Sequence, residues 1–255
     1  MTRKARKESF TGLYHVVGCG NGRIFERQQD KMQLILQMEQ ARQKNEIEIF
    51  AYCVMEDHFH MLIRADLKVL SGYMHDLTGR YSLYFNGKKG RCGHVFGERY
   101  KSDCIEKETT FWNCVRYIHN NPVRAGKSVN IAQYPYSSAK EYLFRKGNLI
   151  HAAGKKAVQR YFHTRKAFLE FHQYPTEMIF ADTAADLQKC KEEVLKNQIE
   201  KYLESNQMLL GEFLIDTKVR KSFVREAHEK TGLPFRQISD ITGEICMEVG
   251  FLQNI

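Results

Sequence analysis

Two histidines, His58 and His60, flank a single phenylalanine in the segment EDHFHMLI. In a β-strand, residues i and i+2 point to the same face, so the sequence predicts two imidazoles side by side and Phe59 on the other face. Neutral imidazole is a common metal ligand, and a histidine pair on a rigid strand is a partial site for a divalent cation. Two solvated or packed histidines give the same pattern, so the pair alone leaves both interpretations open.

A second set of polar residues lies in the segment RYIHNNP, at residues 116–122. Tyr117 and Asn121 are four residues apart, so on a helix they share one face. An asparagine amide oxygen is a hard ligand that suits Mg²⁺ or Mn²⁺, and a phenol can act as a nucleophile. Taken separately, each residue is better explained by structure: Tyr117 by a packed core or rim position, and Asn121 by a helix stop before Pro122.

Together, these four residues supply three candidate ligands for one cation and a nucleophile next to it. Phosphodiester transesterification needs both, because the cation polarises a phosphoryl oxygen while the nucleophile attacks phosphorus. The product is a phosphotyrosyl enzyme, which retains the bond energy for rejoining.

Three segments carry a resemblance to a known family: YHVV (14–17), MEDHFHMLI (55–63) and RYIHNNPVRAG (116–126). They resemble the single-tyrosine HUH transposases, in which HUH denotes two histidines around a hydrophobic residue. The closest groups are the insertion-sequence-200-like transposases and the REP-associated tyrosine transposases. The resemblance spans residues 8–145, with the segments in order and at sensible spacing.

The resemblance implies roles for individual residues. His58 and His60 match the metal ligands, Tyr117 matches the nucleophile, and Asn121 matches the position of a further ligand. It also implies one Mg²⁺ or Mn²⁺ ion, no nucleotide cofactor, and single-stranded or hairpin DNA as the partner. The implied reaction cleaves and rejoins that DNA through a 5′-phosphotyrosine intermediate and leaves a free 3′-OH.

One departure from the family concerns the residues before the first histidine, where the family has Pro-Asn and this chain has Glu56 and Asp57. These acids either lie harmlessly in a turn or weaken the approach of DNA, and Asp57 can also support a histidine from behind. The departure keeps a second function open, a catalytically inactive, domesticated DNA-binding relative. A third option is a metal-dependent nuclease or an RNA-acting protein, which would not need Tyr117.

The surrounding sequence predicts elements in the order β-α-β-β-α-β-α. The first six match the ferredoxin-like pattern, an α+β fold in which an antiparallel sheet carries helices on one face. The last helix is expected to stop at Pro122, because proline disfavours helix at the residue before it. The predicted strands are 11–19, 46–55, 58–64 and 95–106, and the predicted helices are 28–44, 67–86 and 108–120.

The rest of the chain predicts helices only, at 151–174, 184–205, 217–230 and 234–242 after a short connector and helix. We therefore expect a catalytic domain at 8–145 and a helical region at 146–255. Residues 217–243 resemble the first two helices of the helix-turn-helix module of replication initiators. The following segment, EICMEVGFLQNI, contains no Lys or Arg, so the recognition helix is expected to be absent. The alternative is a helical cap or an oligomerisation surface.

The charge balance favours a polyanionic partner. Lys and Arg number 39 against 30 Asp and Glu, a formal net charge of +9, and residues 1–140 hold 22 of the basic and 14 of the acidic residues. Each basic residue is also compatible with a solvated surface charge. Candidate DNA contacts are Arg3, Lys4, Arg6, Lys7, Arg23, Lys88, Lys89, Arg91, Arg99, Lys101 and Arg124. His15 in the first strand either faces the site or packs in the core.

Other classes of protein are not expected. No segment approaches the roughly 18 apolar residues of a membrane span, and no apolar run follows the basic N-terminus. The seven cysteines are scattered and never spaced C-x-x-C, which argues against a zinc ribbon or a disulfide scaffold. We expect a cytoplasmic protein with reduced thiols, and the sequence leaves monomer and homodimer open.

Overall fold

The computed structural model describes residues 5–144, 147, 149–175 and 177–252. The chain divides into two compact units. The first unit comprises Met1–Tyr174 and Phe180–Thr183, and the second comprises Pro175–Ile179 and Ala184–Ile255. The short segment 180–183 therefore belongs to the first unit, although the chain around it belongs to the second.

The first unit is built on a four-stranded antiparallel sheet. Its strands are β1 (Leu13–Cys19), β2 (Glu48–Val54), β3 (His58–Arg64) and β4 (Lys101–Cys104), and they lie in the order β2-β3-β1-β4. This order and the β-α-β-β-α-β chain order confirm the predicted ferredoxin-like α+β fold. In this register, Val17 lies opposite His60, and His15 lies opposite Asp103.

Helices α1 (Gln28–Lys44) and α2 (Leu67–Lys89) cover one face of the sheet. Phe59 points to this face, where its ring lies 6.2 Å from that of Phe25. Gly18 on the neighbouring strand makes room for Phe59, because a Cβ at this position would lie 2.4 Å from the phenylalanine ring. The alternation along β3 thus turns His58 and His60 to the opposite face, as predicted.

Helix α3 (Glu108–Arg124) packs on that opposite face. The prediction that it stops before Pro122 is wrong, because Pro122 lies inside the helix. A proline this close to the end removes few helical hydrogen bonds. The carbonyl of Asn121 still accepts from the N–H of Ala125 at 3.0 Å, and that of Pro122 accepts from Lys127 at 2.8 Å. Asn121 is therefore a helical residue, on the face that also carries Tyr117.

Two predicted elements have different lengths in the structure. The predicted strand 95–106 is regular only over β4, and the residues before it join the sheet through one bridge, between Gly20 and Phe96. The predicted helix 151–174 is two helices, α5 (Ala152–Tyr161) and α6 (Arg165–Gln173), which follow the short α4 (Ala139–Phe144). The break lies at Thr164, whose Oγ1 accepts from the N–H of Ala167 at 3.1 Å and caps the second helix.

Helices α5 and α6 belong to the first unit, so this unit extends past residue 145 to Tyr174. The reason is packing against α3. The Trp112 ring lies 4.8 Å from Tyr161 and 5.3 Å from Phe162, and His119 contacts His172 of α6.

The second unit is helical, with α7 (Ala184–Ser205), α8 (Leu210–Ile215), α9 (Thr217–Thr231) and α10 (Phe235–Leu252). Its apolar core includes Leu195, Phe213, Phe223, Ala227 and Ile238. Helix α9 ends at Gly232, which has a φ of 70°. The prediction of a short helix that ends at Gly243 is wrong, because α10 continues to Leu252. Within the residues that the structure describes, none of the helices combines the length and apolar character of a membrane span.

Candidate active site

The two histidines of β3 lie side by side beneath α3. The His58 and His60 rings are perpendicular, with their centroids 4.9 Å apart. Both residues are buried, with 2% and 0% of their surface exposed. The position of the pair follows from the two-residue period of the strand, which also sends Phe59 into the core on the other face.

Asp182, in the segment 180–183, faces this pair. Its Oδ1 lies 3.4 Å from Nε2 of His60 and 3.7 Å from Nε2 of His58. One ligand atom from each of the three residues lies within 4.8 Å of the others, and we call these residues the cation cluster. Sequence reasoning missed Asp182, because it lies far beyond the family motifs and no spacing pattern singles it out.

The segment that carries Asp182 is held by β4. The Lys101 ammonium donates to the backbone carbonyl of Asp182 at 2.7 Å, and Asp103 Oδ2 accepts from the N–H of Ala181 at 2.6 Å. The Phe180 ring lies 5.1 Å from Tyr117 and 5.5 Å from His15. The backbone and side chains of this segment are thus anchored around the carboxylate.

Tyr117 meets the cation cluster at Asp182. Its hydroxyl donates a hydrogen bond to Asp182 Oδ2, so the two carboxylate oxygens face the phenol and the imidazoles respectively. The tyrosine ring lies 5.7 Å from His60, and the Arg124 guanidinium lies 4.6 Å above it. Tyr117 has no exposed surface.

Asn121 also reaches the cation cluster. Its Nδ2 donates to Nε2 of His60 at 2.9 Å, and the residue is buried. In this orientation the amide is a donor. A rotation of the amide by half a turn would present Oδ1, the atom that the predicted ligand role requires.

Two further side chains contact the histidines on the side away from Asp182. Asp57 Oδ1 lies 2.8 Å from Nδ1 of His58, and His15 Nε2 lies 3.0 Å from Nδ1 of His60. The sequence left several roles open for both residues. In the structure, each makes a hydrogen bond to a histidine of the cation cluster.

The protonation states follow from burial and contact. Burial lowers the pKa of His60 to about 4, so its imidazole is neutral at neutral pH. Burial alone would raise the pKa of the Asp182 carboxyl, but the contacts with His60, His58 and the Tyr117 hydroxyl bring it below its usual range. The hydrogen bond from His58 likewise lowers the pKa of Asp57. The site therefore combines a neutral imidazole with ionised carboxylates.

This donor set fits a divalent cation. An ionised carboxylate with no exposed surface is costly unless a positive charge is near, and imidazole nitrogen with carboxylate oxygen suits ions such as Mn²⁺. Neighbouring ligands of an octahedral ion with bonds of about 2.1 Å lie about 3 Å apart. The separations of 3.4 and 3.7 Å between Asp182 and the imidazoles are close to that spacing.

Comparison with known proteins finds one matching family. Residues 8–121 match the model of the family described as IS200-like transposases. This part of the chain belongs to that family. No curated protein sequence matches the chain.

Two solved structures are similar to the chain. One is described as a REP-associated tyrosine transposase bound to a REP hairpin, with 16% identity over 60% of this chain and 96% of that one, and a TM-score of 0.49. The other is assigned as a transposase from Deinococcus radiodurans R1, with 20% identity over 47% of this chain and 97% of that one, and a TM-score of 0.33.

Glu56, the first of the two acids before His58, forms two ion pairs. It pairs with Arg23 at 2.5 Å and with Lys127 at 2.9 Å. Its pKa is lowered, chiefly by the hydrogen bond from Lys127. These pairs neutralise Glu56 and also occupy Arg23, one of the predicted DNA contacts.

Several other predicted DNA contacts are engaged inside the first unit. Lys88 pairs with Asp30, Lys101 holds the segment 180–183, and Arg124 lies over the Tyr117 ring. Their charges therefore already serve the packing of the domain.

The remaining candidates lie at the surface. Arg6 stacks on the ring of Tyr100 at 3.7 Å, and Arg91 hydrogen-bonds Asn86. Lys7, Lys89 and Arg99 are exposed, and among the described residues no acidic side chain pairs with them. Arg3 and Lys4 lie outside the described residues.

Proposed function

We propose that the transposase domain cleaves and rejoins single-stranded DNA through Tyr117, with one Mg²⁺ or Mn²⁺ ion bound at the cation cluster. One observation carries this proposal: the Tyr117 hydroxyl and both imidazoles meet at the two oxygens of Asp182. A nucleophile and a cation site must lie this close for both to act on one phosphodiester.

The cation would be held by His58, His60 and Asp182, with Asn121 as a further ligand once its amide turns. When bound, such an ion polarises a phosphoryl oxygen. A neutral His60 supports this assignment, because only the unprotonated Nε2 can hold a metal.

The residues of the chain carry out the bond changes. Tyr117 Oη forms a bond to phosphorus, and the bond between phosphorus and the 3′ oxygen breaks. Asp182 Oδ2, which already accepts the phenol hydrogen bond, receives the phenol proton. The 3′ oxygen leaves with the electron pair and takes up one proton, so the net transfer is from the phenol to the new 3′-OH. The reverse sequence rejoins the strand.

The proposed partner is single-stranded or hairpin DNA. The net charge of +9 and the exposed cations Lys7, Lys89 and Arg99 support an electrostatic contact with the phosphate backbone. A cytoplasmic location and a monomeric or homodimeric state remain predictions.

The test of the proposal is the substitution Tyr117→Phe, which removes the nucleophilic oxygen and keeps the ring. Covalent attachment to a labelled single-stranded oligonucleotide in Mn²⁺, measured on a denaturing gel, should fall by about 10³-fold or more. Oligonucleotide binding should change little. Tyr174→Phe, at an exposed tyrosine, is the matched control and should behave as the wild type. Equal attachment by Tyr117→Phe would remove Tyr117 from the role.

A second function, an inactive DNA-binding relative, is favoured by one observation. Tyr117 has no exposed surface, and Phe180 lies against it. Such a protein would bind oligonucleotides with a strong salt dependence and form no covalent product at any Mn²⁺ concentration. The same gel assay, run beside a binding titration at several salt concentrations, separates the two functions.

A further inference from the structure

We infer that His15 and Asp103 are positioning residues that fix the tautomer of His60 and so set the cation affinity of the site. The inference rests on the proposed function in one respect, because it takes His60 as a cation ligand. Neither His15 nor Asp103 would touch the ion or the DNA.

The three residues lie across three neighbouring strands. His15 on β1 is directly opposite Asp103 on β4, and His60 on β3 is the diagonal neighbour of His15. His60 Nδ1 lies 3.0 Å from His15 Nε2, and His15 Nδ1 lies 3.8 Å from Asp103 Oδ2. The two rings are parallel within 5°, with centroids 5.3 Å apart. The sheet register thus places one carboxylate and two imidazoles in series.

The end of this series at Asn121 assigns the proton on His60. Asn121 Nδ2 is a donor, so the Nε2 of His60 that it contacts at 2.9 Å accepts. The His60 proton is therefore on Nδ1, from which it donates to His15 Nε2. The direct contact with Asn121 at 2.9 Å decides against a proton on Nε2, although the Asp182 charge 3.4 Å away favours one there. A cation bound between Nε2 and Asp182 would take the place of that proton.

The position of Asp103 leads independently to the same protonated nitrogen of His60. The Asp103 side chain is 43% exposed and can stay ionised, in which state it only accepts. It favours a proton on the nearby Nδ1 of His15, and at 3.8 Å it does so through its charge rather than through a hydrogen bond. His15 Nε2 must then accept, which again requires a proton on Nδ1 of His60.

His58 has a direct carboxylate contact where His60 has His15. Its Nδ1 lies 2.8 Å from the carboxylate of Asp57, the usual support for a metal-binding histidine. In the structure as described, no carboxylate contacts Nδ1 of His60, and His15 connects this nitrogen to Asp103 instead. A histidine that only filled space would need no acid behind it.

Loss of an outer support of this kind typically weakens metal affinity by about 10- to 100-fold. The substitution His15→Leu removes the acceptor and should produce a loss in that range. His15→Gln should recover most of the affinity, because its amide oxygen can accept from His60 while its amide nitrogen faces Asp103. Asp103→Asn should give a smaller loss, because it removes the charge, leaves His15 in place and keeps a side-chain oxygen that can accept from the N–H of Ala181.

Two measurements on the full chain without DNA test this. Mn²⁺ titration followed by electron paramagnetic resonance gives the dissociation constant of each variant. Long-range ¹H–¹⁵N correlation of the metal-free, histidine-labelled protein gives the tautomer of His60, which should be Nδ1–H in the wild type and mixed or Nε2–H in His15→Leu. A purely structural role of His15 would not shift this tautomer. His75→Leu, at an exposed histidine of α2, is the control and should leave both readouts unchanged.

Three results would overturn the inference: a wild-type His60 protonated on Nε2, wild-type protein that binds no Mn²⁺, or folded variants that keep both the tautomer and the wild-type affinity. If His15→Leu does not fold, His15→Gln and Asp103→Asn decide the question. Tyr117 takes no part in either measurement. If the protein binds Mn²⁺ but does not cleave DNA, the proposed function fails and this inference is unaffected. If the wild type binds Mn²⁺ and the variants at His15 and Asp103 are unchanged, this inference fails and the proposed function is unaffected.

Discussion

Two groups of buried histidines lie against helix α3, and they differ in what surrounds them. The first is the cation cluster with His15 behind it. The second histidine group consists of His119, His172 and Ser138. In it, His119 Nδ1 lies 2.9 Å from His172 Nε2, and His119 Nε2 lies 2.8 Å from Ser138 Oγ.

The hydrogen bonds of the second histidine group end on backbone groups. His172 Nδ1 donates to the carbonyl of Phe168 at 2.7 Å, and Ser138 Oγ accepts from the N–H of Tyr52 at 2.9 Å. Burial lowers the pKa of His119 well below its usual value and that of His172 to about 4. This group is neutral and fully paired, and it ties α6 and the segment before α4 to α3.

The cation cluster is equally buried, but carboxylates lie on both sides of its histidines. Asp57 is behind His58, Asp103 is behind His15, and Asp182 is in front of both imidazoles. The difference shows that buried histidines alone do not mark a metal site. Buried carboxylates that face neutral imidazoles do mark one.

The substitution Asp182→Asn should have the largest effect. It removes the negative charge that faces both imidazoles and leaves the size of the side chain nearly unchanged. Mn²⁺ affinity should fall by on the order of 100-fold. In the wild type, Mn²⁺ at 100 times its dissociation constant should add about 2.7 kcal/mol of stability, and the variant should lose this gain. Thermal unfolding with and without Mn²⁺ measures it.

Asp66→Asn, at an exposed acid that makes no side-chain cap, is the matched control for this experiment. It should keep the full stabilisation by Mn²⁺. Equal stabilisation of Asp182→Asn and the wild type would show that the cation cluster does not bind the ion through Asp182.

An intermediate effect is common to both groups, because burial lowers the histidine pKa in each. His60 and His172 have a pKa of about 4 in the folded chain against about 6.5 unfolded, so the unfolded chain binds more protons between these pH values. The contribution of these two histidines to the free energy of unfolding is then fully present above pH 6.5 and is lost as the pH falls toward 4. Acidification from pH 7 to 4.5 should cost on the order of 2 kcal/mol per histidine.

Urea unfolding at the two pH values measures this loss, with fluorescence of the single tryptophan, Trp112, as the probe of the first unit. His172→Gln keeps hydrogen-bonding capacity without a titrating ring. It should therefore remove the part of the acid-induced stability loss that His172 causes and leave the part that His60 causes. A pH dependence of the same size in this variant would contradict the assignment.

The smallest effect on Mn²⁺ binding concerns Ser138→Ala, which leaves His119 Nε2 and the N–H of Tyr52 without a hydrogen-bond partner. Each unsatisfied buried group should cost about 1 to 2 kcal/mol of stability, while Mn²⁺ affinity should stay within about twofold of the wild type. Ser82→Ala is the control, since its hydroxyl bonds a helix carbonyl on α2 away from both groups. A parallel loss of Mn²⁺ affinity in Ser138→Ala would show that the two groups are coupled through α3.

Local periodicity accounts for what the sequence predicted. The two-residue period of β3 placed His58 and His60 together, and the four-residue spacing placed Tyr117 and Asn121 on one helix face. The strand order followed because alternating strands and helices of this length favour one topology. Pro122 was misjudged because a local rule does not include the packing that keeps the last turn of α3 helical.

Asp182 and the support behind His60 were not predictable in this way. Asp182 reaches the site only because the chain returns to the first unit for residues 180–183, after α6. The role of His15 depends on the register between β1 and β4, which places it opposite Asp103. Single-sequence patterns contain no information on such long-range pairings.

The enclosure of Tyr117 has a consequence for the speed of any reaction at this residue. A phosphate needs room beside the phenol, and the Phe180 ring, itself 3% exposed, fills part of that room. Moving a buried phenylalanine into water costs about 1.5 to 3 kcal/mol, so an open form would make up on the order of 1 to 10% of the molecules. For a DNA strand that binds only the open form, the apparent affinity is the intrinsic affinity multiplied by that fraction. The rate of the reaction is then limited by this minor population.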